Sequence, residues 1–252
     1  MDPTQRFSAK SQVYARYRQD FAPEAIAALV TATGLPCTAS VLDVGAGTGM
    51  LTRHLLEHFG CVYALEPNLE MRLMAQNGLG AFCGFHCLAA RAEEIPFTNR
   101  SVDLITAGRV LHWLQPEPTR TEFRRIAKPE AWLAVVRLNM LDEPFLEATR
   151  ALRVPEYGFR PREEATLPGN VDVEFYFAGG PCKTFSFQHT NQQNFESFLG
   201  GLQSGSYAPD EDHPCYEDFR QAAERIFDTL STNGILTTQL ATEICLGQIN
   251  PR

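Results

Sequence analysis

The stretch Val41–Leu51, VLDVGAGTGML, is an apolar run of strand length that enters a turn with glycines at positions 45, 47 and 49. A helix-like sequence leaves it. That layout brings backbone N–H groups to the start of a helix without Cβ interference, as in the nucleotide-type sites of open α/β sheets. The dinucleotide fingerprint G-x-G-x-x-G sets its third glycine one position later. Asp43 also stands at the strand end, where that pattern takes an apolar residue. A carboxylate there repels a pyrophosphate, whereas a ligand with a positive sulfonium and an ammonium group has the opposite requirement.

Outward from this turn, the first 140 residues alternate strand-like and helix-like segments, the pattern of a parallel sheet covered on both faces. Ser11–Thr33 reads as helical with a break near Pro23. Strands are expected at Ser40–Gly45, Cys61–Glu66, Gly84–Ala90, Ser101–Gly108 and Trp132–Leu138, with helices at Met50–Phe59, up to about Gln76, and Pro118–Ala127. Beyond residue 140 the rhythm changes: Leu141–Leu152 reads as helical and Pro155–Asn170 as loop. Thr184–Thr190 and Ile235–Gly247 alternate like an antiparallel pair, with amphipathic segments at Asn191–Leu202 and Cys215–Leu230 between them. The expected fold class is therefore α/β: a Rossmann-like, doubly wound, seven-stranded and mostly parallel sheet. Its last strand is antiparallel and a helical insertion precedes it.

Composition narrows the function classes. A chain of 252 residues buries roughly 70–75% of its unfolded surface and needs no staples. The net charge of −8 argues against a nucleic-acid partner, whose phosphates require clustered Lys and Arg. No apolar run reaches membrane-spanning length, and the first 20 residues lack the apolar core of a signal peptide, so a cytoplasmic location is expected. The seven cysteines are odd in number and irregularly spaced, with no Cys-x-x-Cys, and Ala90 stands where Cys83 and Cys87 would need a third cluster ligand. They read as small buried hydrophobes.

Three further stretches refine the ligand. Glu66 ends the second strand, where an acid accepts hydrogen bonds from ribose hydroxyls. The Ala-Glu-x-Ile-Pro-Phe core of RAEEIPF (Arg91–Phe97) has no role in a dinucleotide site, and SVDLITAGRVLHWL carries the fourth strand onward. With VLDVGAGTG and ALEPN, these motifs resemble those of the class I S-adenosylmethionine-dependent methyltransferases. The likeness is to their small-molecule, type 11 branch and its trans-aconitate methyltransferase-like subgroup. It is specific over residues 40–115 and looser after 140.

The resemblance implies one methyltransferase domain over residues 1–252. It would comprise a helical lid (1–35), a cofactor-binding core (36–140) and a helical cap over the substrate site (190–236). S-adenosylmethionine is the implied cofactor and S-adenosylhomocysteine the product. Gly45, Ala46, Gly47, Thr48 and Gly49 would line the methionine portion with Asp43 in support, and Gly108 would lie near its end. Glu66 would hold the ribose, Pro67 and Met71 would pack on the adenine, and Ala92 and Glu93 would border its edge. Tyr17 resembles the lid tyrosine that closes over the cofactor. Two positions depart from the family: Arg91 replaces an acid that reads the adenine amino group, and Lys-Pro-Glu-Ala (Lys128–Ala131) replaces Lys-Pro-Gly-Gly.

The implied acceptor is a small molecule, with oligomeric state left open. His112, after the fourth strand, is the candidate base or acceptor contact, a structural role being the other reading. Arg18 and Arg109 are candidate partners for an anionic acceptor, and Trp113 is a candidate pocket wall or stacking surface. His54-Leu-Leu-Glu57-His58 spells H-x-x-E-H, but the helix stripe Leu51, Leu55, Phe59 must face the sheet and no third ligand is placed, so no metal is expected. The acidic balance and the lack of an Asn-Pro-Pro-Tyr-type motif disfavour nucleic-acid methylation. An NAD(P)-dependent oxidoreductase, a non-catalytic binding module and a different reaction on the same cofactor stay open as alternatives.

Overall fold

The structure, a computed structural model, describes residues 11–159, 171–177, 180–205 and 207–249. Residues 1–10 of the expected lid, 160–170 of the expected loop and Ser206 lie outside the described residues. The strands are β1 (Val41–Val44), β2 (Val62–Leu65), β3 (Phe85–Leu88), β4 (Val102–Gly108), β5 (Ala127–Met140), β6 (Cys182–Gln193) and β7 (Leu236–Gln248). They form one seven-stranded sheet in the order β3-β2-β1-β4-β5-β7-β6. The first five run parallel, and β7 lies antiparallel between β5 and β6. Chain order reverses at β1, so a crevice opens between the carboxyl ends of β1 and β4.

All four residues of β1 are buried, which explains both the apolar run and the layers around it. Val41, Val62 and Leu104 point to one face, where Ile26 and Leu29 of α2 (Pro23–Thr33) meet Leu51 and Leu55 of α3 (Met50–Leu56). Leu42, Val44 and Ile105 point to the other, against Phe123 and Ile126 of α5 (Pro116–Ile126). Alternate side chains of one strand thus demand helices on both sides. Helix α4 (Leu69–Leu79) follows β2 and is capped by Asn68, whose side chain accepts from the Met71 N–H at 2.9 Å.

Several boundaries differ from the sequence reading, each for a local reason. Helix α5 begins at Pro116 instead of Pro118, because proline suits a first turn whose N–H groups lack helical partners. Strand β5 begins at Ala127, five residues early. Its start bulges, since Val102 pairs with Ala127 and Leu104 with Trp132. The bulge sets Glu130 at a φ of 68°, at the position where the family motif carries glycine. The helix expected from Asn191 is α7 (Phe195–Gln203): residues 191–193 remain in β6, and the Asn194 side chain caps the helix from Ser197 N–H at 2.9 Å.

A third apolar cluster lies apart from the sheet. Phe198 of α7 and Phe219 and Phe227 of α8 (Tyr216–Leu230) pack with Phe145 of α6 (Glu143–Arg150), Leu152 and Phe159. The sequence reading left α6 outside the cap, yet it supplies part of this core. Leading off the N-terminal side is α1 (Ser11–Tyr17), which packs on both α7 and α4.

Candidate functional site

The turn after β1 uses left-handed backbone at Gly45 (φ 62°), Gly47 (φ 58°) and Gly49 (φ 87°). A side chain at residue 45 would collide with Val110 and one at residue 49 with Leu79, so both close approaches need glycine. Beneath the turn, Asp43 is buried. Its Oδ2 accepts from Thr52 Oγ1 at 2.6 Å and its Oδ1 from Thr106 Oγ1 at 2.8 Å. Burial pushes this carboxyl up to about 6, against the opposing pull of the two hydroxyls, and nearby Glu66 adds to the rise. Asp43 therefore ties α3 and β4 to the loop.

Glu66 closes the other side. Its Oε2 accepts from Gly47 N–H and its Oε1 from Asn68 N–H, both at 2.9 Å. Burial raises its pKa, while those two N–H groups and Arg72 pull it back. Each oxygen has a further lone pair for a ligand. Arg72 Nη1 donates to the carbonyls of Glu66 and Pro67 at 2.9 and 2.7 Å, fixing the chain as it turns into α4.

Between these groups lies a cleft of about 830 Å³, counting its open mouth. Gly45, Gly47, Glu66, Pro67 and Met71 line it from one side, and Ala92, Glu93, Gly108, Arg109 and Trp113 from the other. A recess of about 320 Å³ shares Gly45, Gly47, Gly108 and Arg109 with the cleft, and it adds Asp43, Ala46 and Thr48. Gly49, Tyr17, Arg18 and His112 line neither space. Gly49 starts α3 against Leu79. Tyr17 and Arg18 reach α7 and its C-cap: Tyr17 OH donates to Glu196 at 2.5 Å and Arg18 Nη1 to Ser204 Oγ at 3.4 Å. His112 sits in the 3₁₀ turn Leu111–Trp113, its ring 5.0 Å from that of Trp113.

Residues 42–135, which carry the glycine loop and most of the cleft lining, match the methyltransferase domain family. Over that stretch the chain is similar to methyltransferase domains. It is 36% identical over 143 residues to an uncharacterized methyltransferase of Mycobacterium bovis, covering 56% of this chain and 55% of that protein. A malonyl-[acyl-carrier protein] O-methyltransferase of a Marinomonas species is 30% identical over 142 residues, 55% of this chain and 52% of its own. The chain spans about half the length of the curated relatives it matches. A solved structure from Anaeromyxobacter dehalogenans, provisionally named a type II methyltransferase, has the same fold. Its TM-score is 0.65 at 20% identity, covering 94% of this chain and all of that one.

Within residues 42–135, sequence reasoning missed the supports of the loop after β3. Arg125 Nη1 donates to Phe97 O at 2.6 Å and its Nη2 to Ile95 O at 2.8 Å. The same guanidinium grips Glu122, whose Oε2 accepts from Ile95 N–H at 2.8 Å. The spacing of Glu122 and Arg125 on one helix face was the available signal. Glu93 Oε1 accepts from Gln115 N–H at 2.9 Å, while its Oε2 lies 3.4 Å from Arg91 Nε. The His54 ring is buried and its Nε2 bonds Asp20 Oδ1 at 2.9 Å, a contact that ties α3 to the N-terminal segment. Among the described residues no three His, Cys, Asp or Glu side chains converge to hold a metal, and no helix is long and apolar enough to cross a membrane.

Proposed function

We propose that the chain transfers a methyl group from S-adenosylmethionine to a small acceptor by direct displacement. The observation that carries this reading is the buried carboxyl of Asp43 beneath the glycine loop, with the half-buried Glu66 carboxyl on the other side of it. Asp43's bonds there are to two threonine hydroxyls, so the charge it carries near neutral pH faces no built-in cation. Such a loop favours a ligand with positive groups and disfavours a pyrophosphate. When bound, the cofactor supplies a methyl carbon already activated by its sulfonium.

The chain's own residues then position and enclose. Glu66 keeps lone pairs for the ribose hydroxyls while its other lone pairs hold the loop. Met71, Ala92 and Leu114 offer an apolar slot for the base beside the Arg91–Glu93 pair. Gly108 and Arg109 border both spaces, which suits the passage from the ribose to the methionine end. Alignment of the acceptor with the methyl carbon and exclusion of water are the remaining tasks.

Acceptor chemistry follows from what lies nearby. An oxygen acceptor, carboxylate or hydroxyl, accords with the O-methyltransferases among the relatives. A carboxylate needs no base, and of the two arginines that line the cleft, Arg91 and Arg109, Arg109 borders the recess at the glycine loop and would hold it. His112, beside the cleft-lining Trp113, is kept as the base for a hydroxyl acceptor. The acidic net charge favours a free metabolite over a nucleic acid. Formation of S-adenosylhomocysteine with a panel of small carboxylates and hydroxy compounds tests the reading. Turnover that disappears in Asp43→Ala supports it; no turnover with any oxygen acceptor contradicts it.

A further inference from the structure

The two edges of the sheet are built differently. At one end β3 spans four residues, Phe85–Leu88. A strand so short offers little backbone to another chain, which is one of the ways an edge is kept from pairing. At the other end β6 spans twelve residues, and each has a partner on β7, from Cys182 opposite Gly247 to Gln193 opposite Leu236. The pairing runs without a shift, so no bulge bends the strand away. Among the described residues nothing pairs with its outer side. Alternate residues of an antiparallel strand turn their N–H and C=O away from the neighbour, which leaves about six residues of β6 presenting theirs outward.

The side chains supply none of the devices that blunt such an edge. The strand contains no proline, and its one Lys, Arg, Asp or Glu is Lys183, second from its start. Thr184, Ser186, Gln188, Thr190 and Gln192 are exposed on one face. Phe185 and Phe187 are half-buried on the other, packed on the cluster that includes Ile244 and Leu246. From Thr184 to Gln193 the sequence TFSFQHTNQQ carries no formal charge. A bare, uncharged edge of this length is a template for another strand.

We propose that β6 pairs with β6 of a second copy of this chain, antiparallel about a twofold axis, joining the two seven-stranded sheets into one. The strand is complementary to itself. With Phe187 opposite its own copy, Phe185 meets His189, Thr184 meets Thr190 and Ser186 meets Gln188, each twice by symmetry. Aromatic and hydroxyl pairs of this kind stabilise neighbouring strands. Lys183 then lies opposite Asn191, so no two like charges face each other across the axis. Twofold pairing uses the edge of both copies, and the four-residue β3 offers little to extend the sheet, so assembly stops at the dimer. An interface about 37 Å long and about 10 Å thick is smaller than the roughly 1,600 Å² of standard complexes, so the dimer forms and parts with concentration.

Sedimentation equilibrium from about 5 to 500 μM tests this, a range that spans the micromolar affinities of small interfaces. The unaltered protein is expected to pass from monomer to dimer across it. Ser186→Lys/Gln188→Lys gathers four cations around the axis and should weaken the dimer by about tenfold or more. Ser186→Lys/Gln188→Glu sets each cation opposite an acid and should restore it. Both altered positions are exposed, so thermal melts of the three proteins at low concentration should agree closely. An unaltered protein that is monomeric over the whole range overturns the proposal. So does a dimer that survives Ser186→Lys/Gln188→Lys.

Discussion

Asp43 is a carboxyl held without a cation beneath the loop it supports. Its folded value of about 6 lies above the ordinary 3.8, so protonation favours the folded state. That contribution is complete below about pH 4 and is lost as pH rises through about 6. Each tenfold gain in proton affinity on folding is worth about 1.4 kcal/mol, which puts the whole effect at roughly 3 kcal/mol. Asp43→Asn lacks this titration, so urea titrations should show the unaltered protein losing about that much stability relative to the variant between pH 4 and 7. Parallel pH profiles would count against the buried charge. At Glu66, replacement by Gln should weaken S-adenosylhomocysteine binding by about tenfold or more, because a charged acceptor becomes a neutral one. Calorimetry reads this directly. Both acids were legible in the sequence because each stands at a strand end, where the sheet alone fixes its place. Tyr17 was legible as a residue but not in its contacts: Glu196, its partner, lies 179 positions away on an element whose placement no local pattern reveals.

At the scale of elements, the bulge that opens β5 carries a local conflict. Glu130 adopts φ 68°, a region that L residues other than glycine enter at a cost of about 1–2 kcal/mol. Glu130→Gly should therefore stabilise the fold by about 0.5–1 kcal/mol, net of glycine's greater unfolded freedom, as a higher urea midpoint. The Lys-Pro-Glu-Ala departure marked the position but not the bulge, which exists only through pairing with β4. The loop Ile95–Phe97 depends likewise on α5. Arg125→Ala frees three bonded groups there, and should lower stability by about 1–2 kcal/mol and loosen the cleft's Ala92–Glu93 wall. Thermal melts and a weaker S-adenosylhomocysteine titration would show both effects. The central parallel strands were the most legible elements, since burial on two faces keeps their runs largely apolar, as at Val41–Val44. The cap was least legible, because α6 and Phe159 join its core across a long stretch of chain.

On the scale of the molecule, one half of the chain sets a cleft at the sheet's reversal point, and the other half adds β6, β7 and the helices α6, α7 and α8. The first half holds the family match, residues 42–135, and most of the cleft lining. The second holds Glu196 and Ser204, the partners of Tyr17 and Arg18, which line neither the cleft nor the recess. The glycine spacing and Asp43 oppose a pyrophosphate, so the choice between a sulfonium cofactor and a nicotinamide dinucleotide is the central claim. Isothermal titration of the unaltered protein with S-adenosylhomocysteine and, separately, with NADH tests it most directly. Saturable binding of S-adenosylhomocysteine with none of NADH is the predicted result; binding of NADH alone would contradict the account.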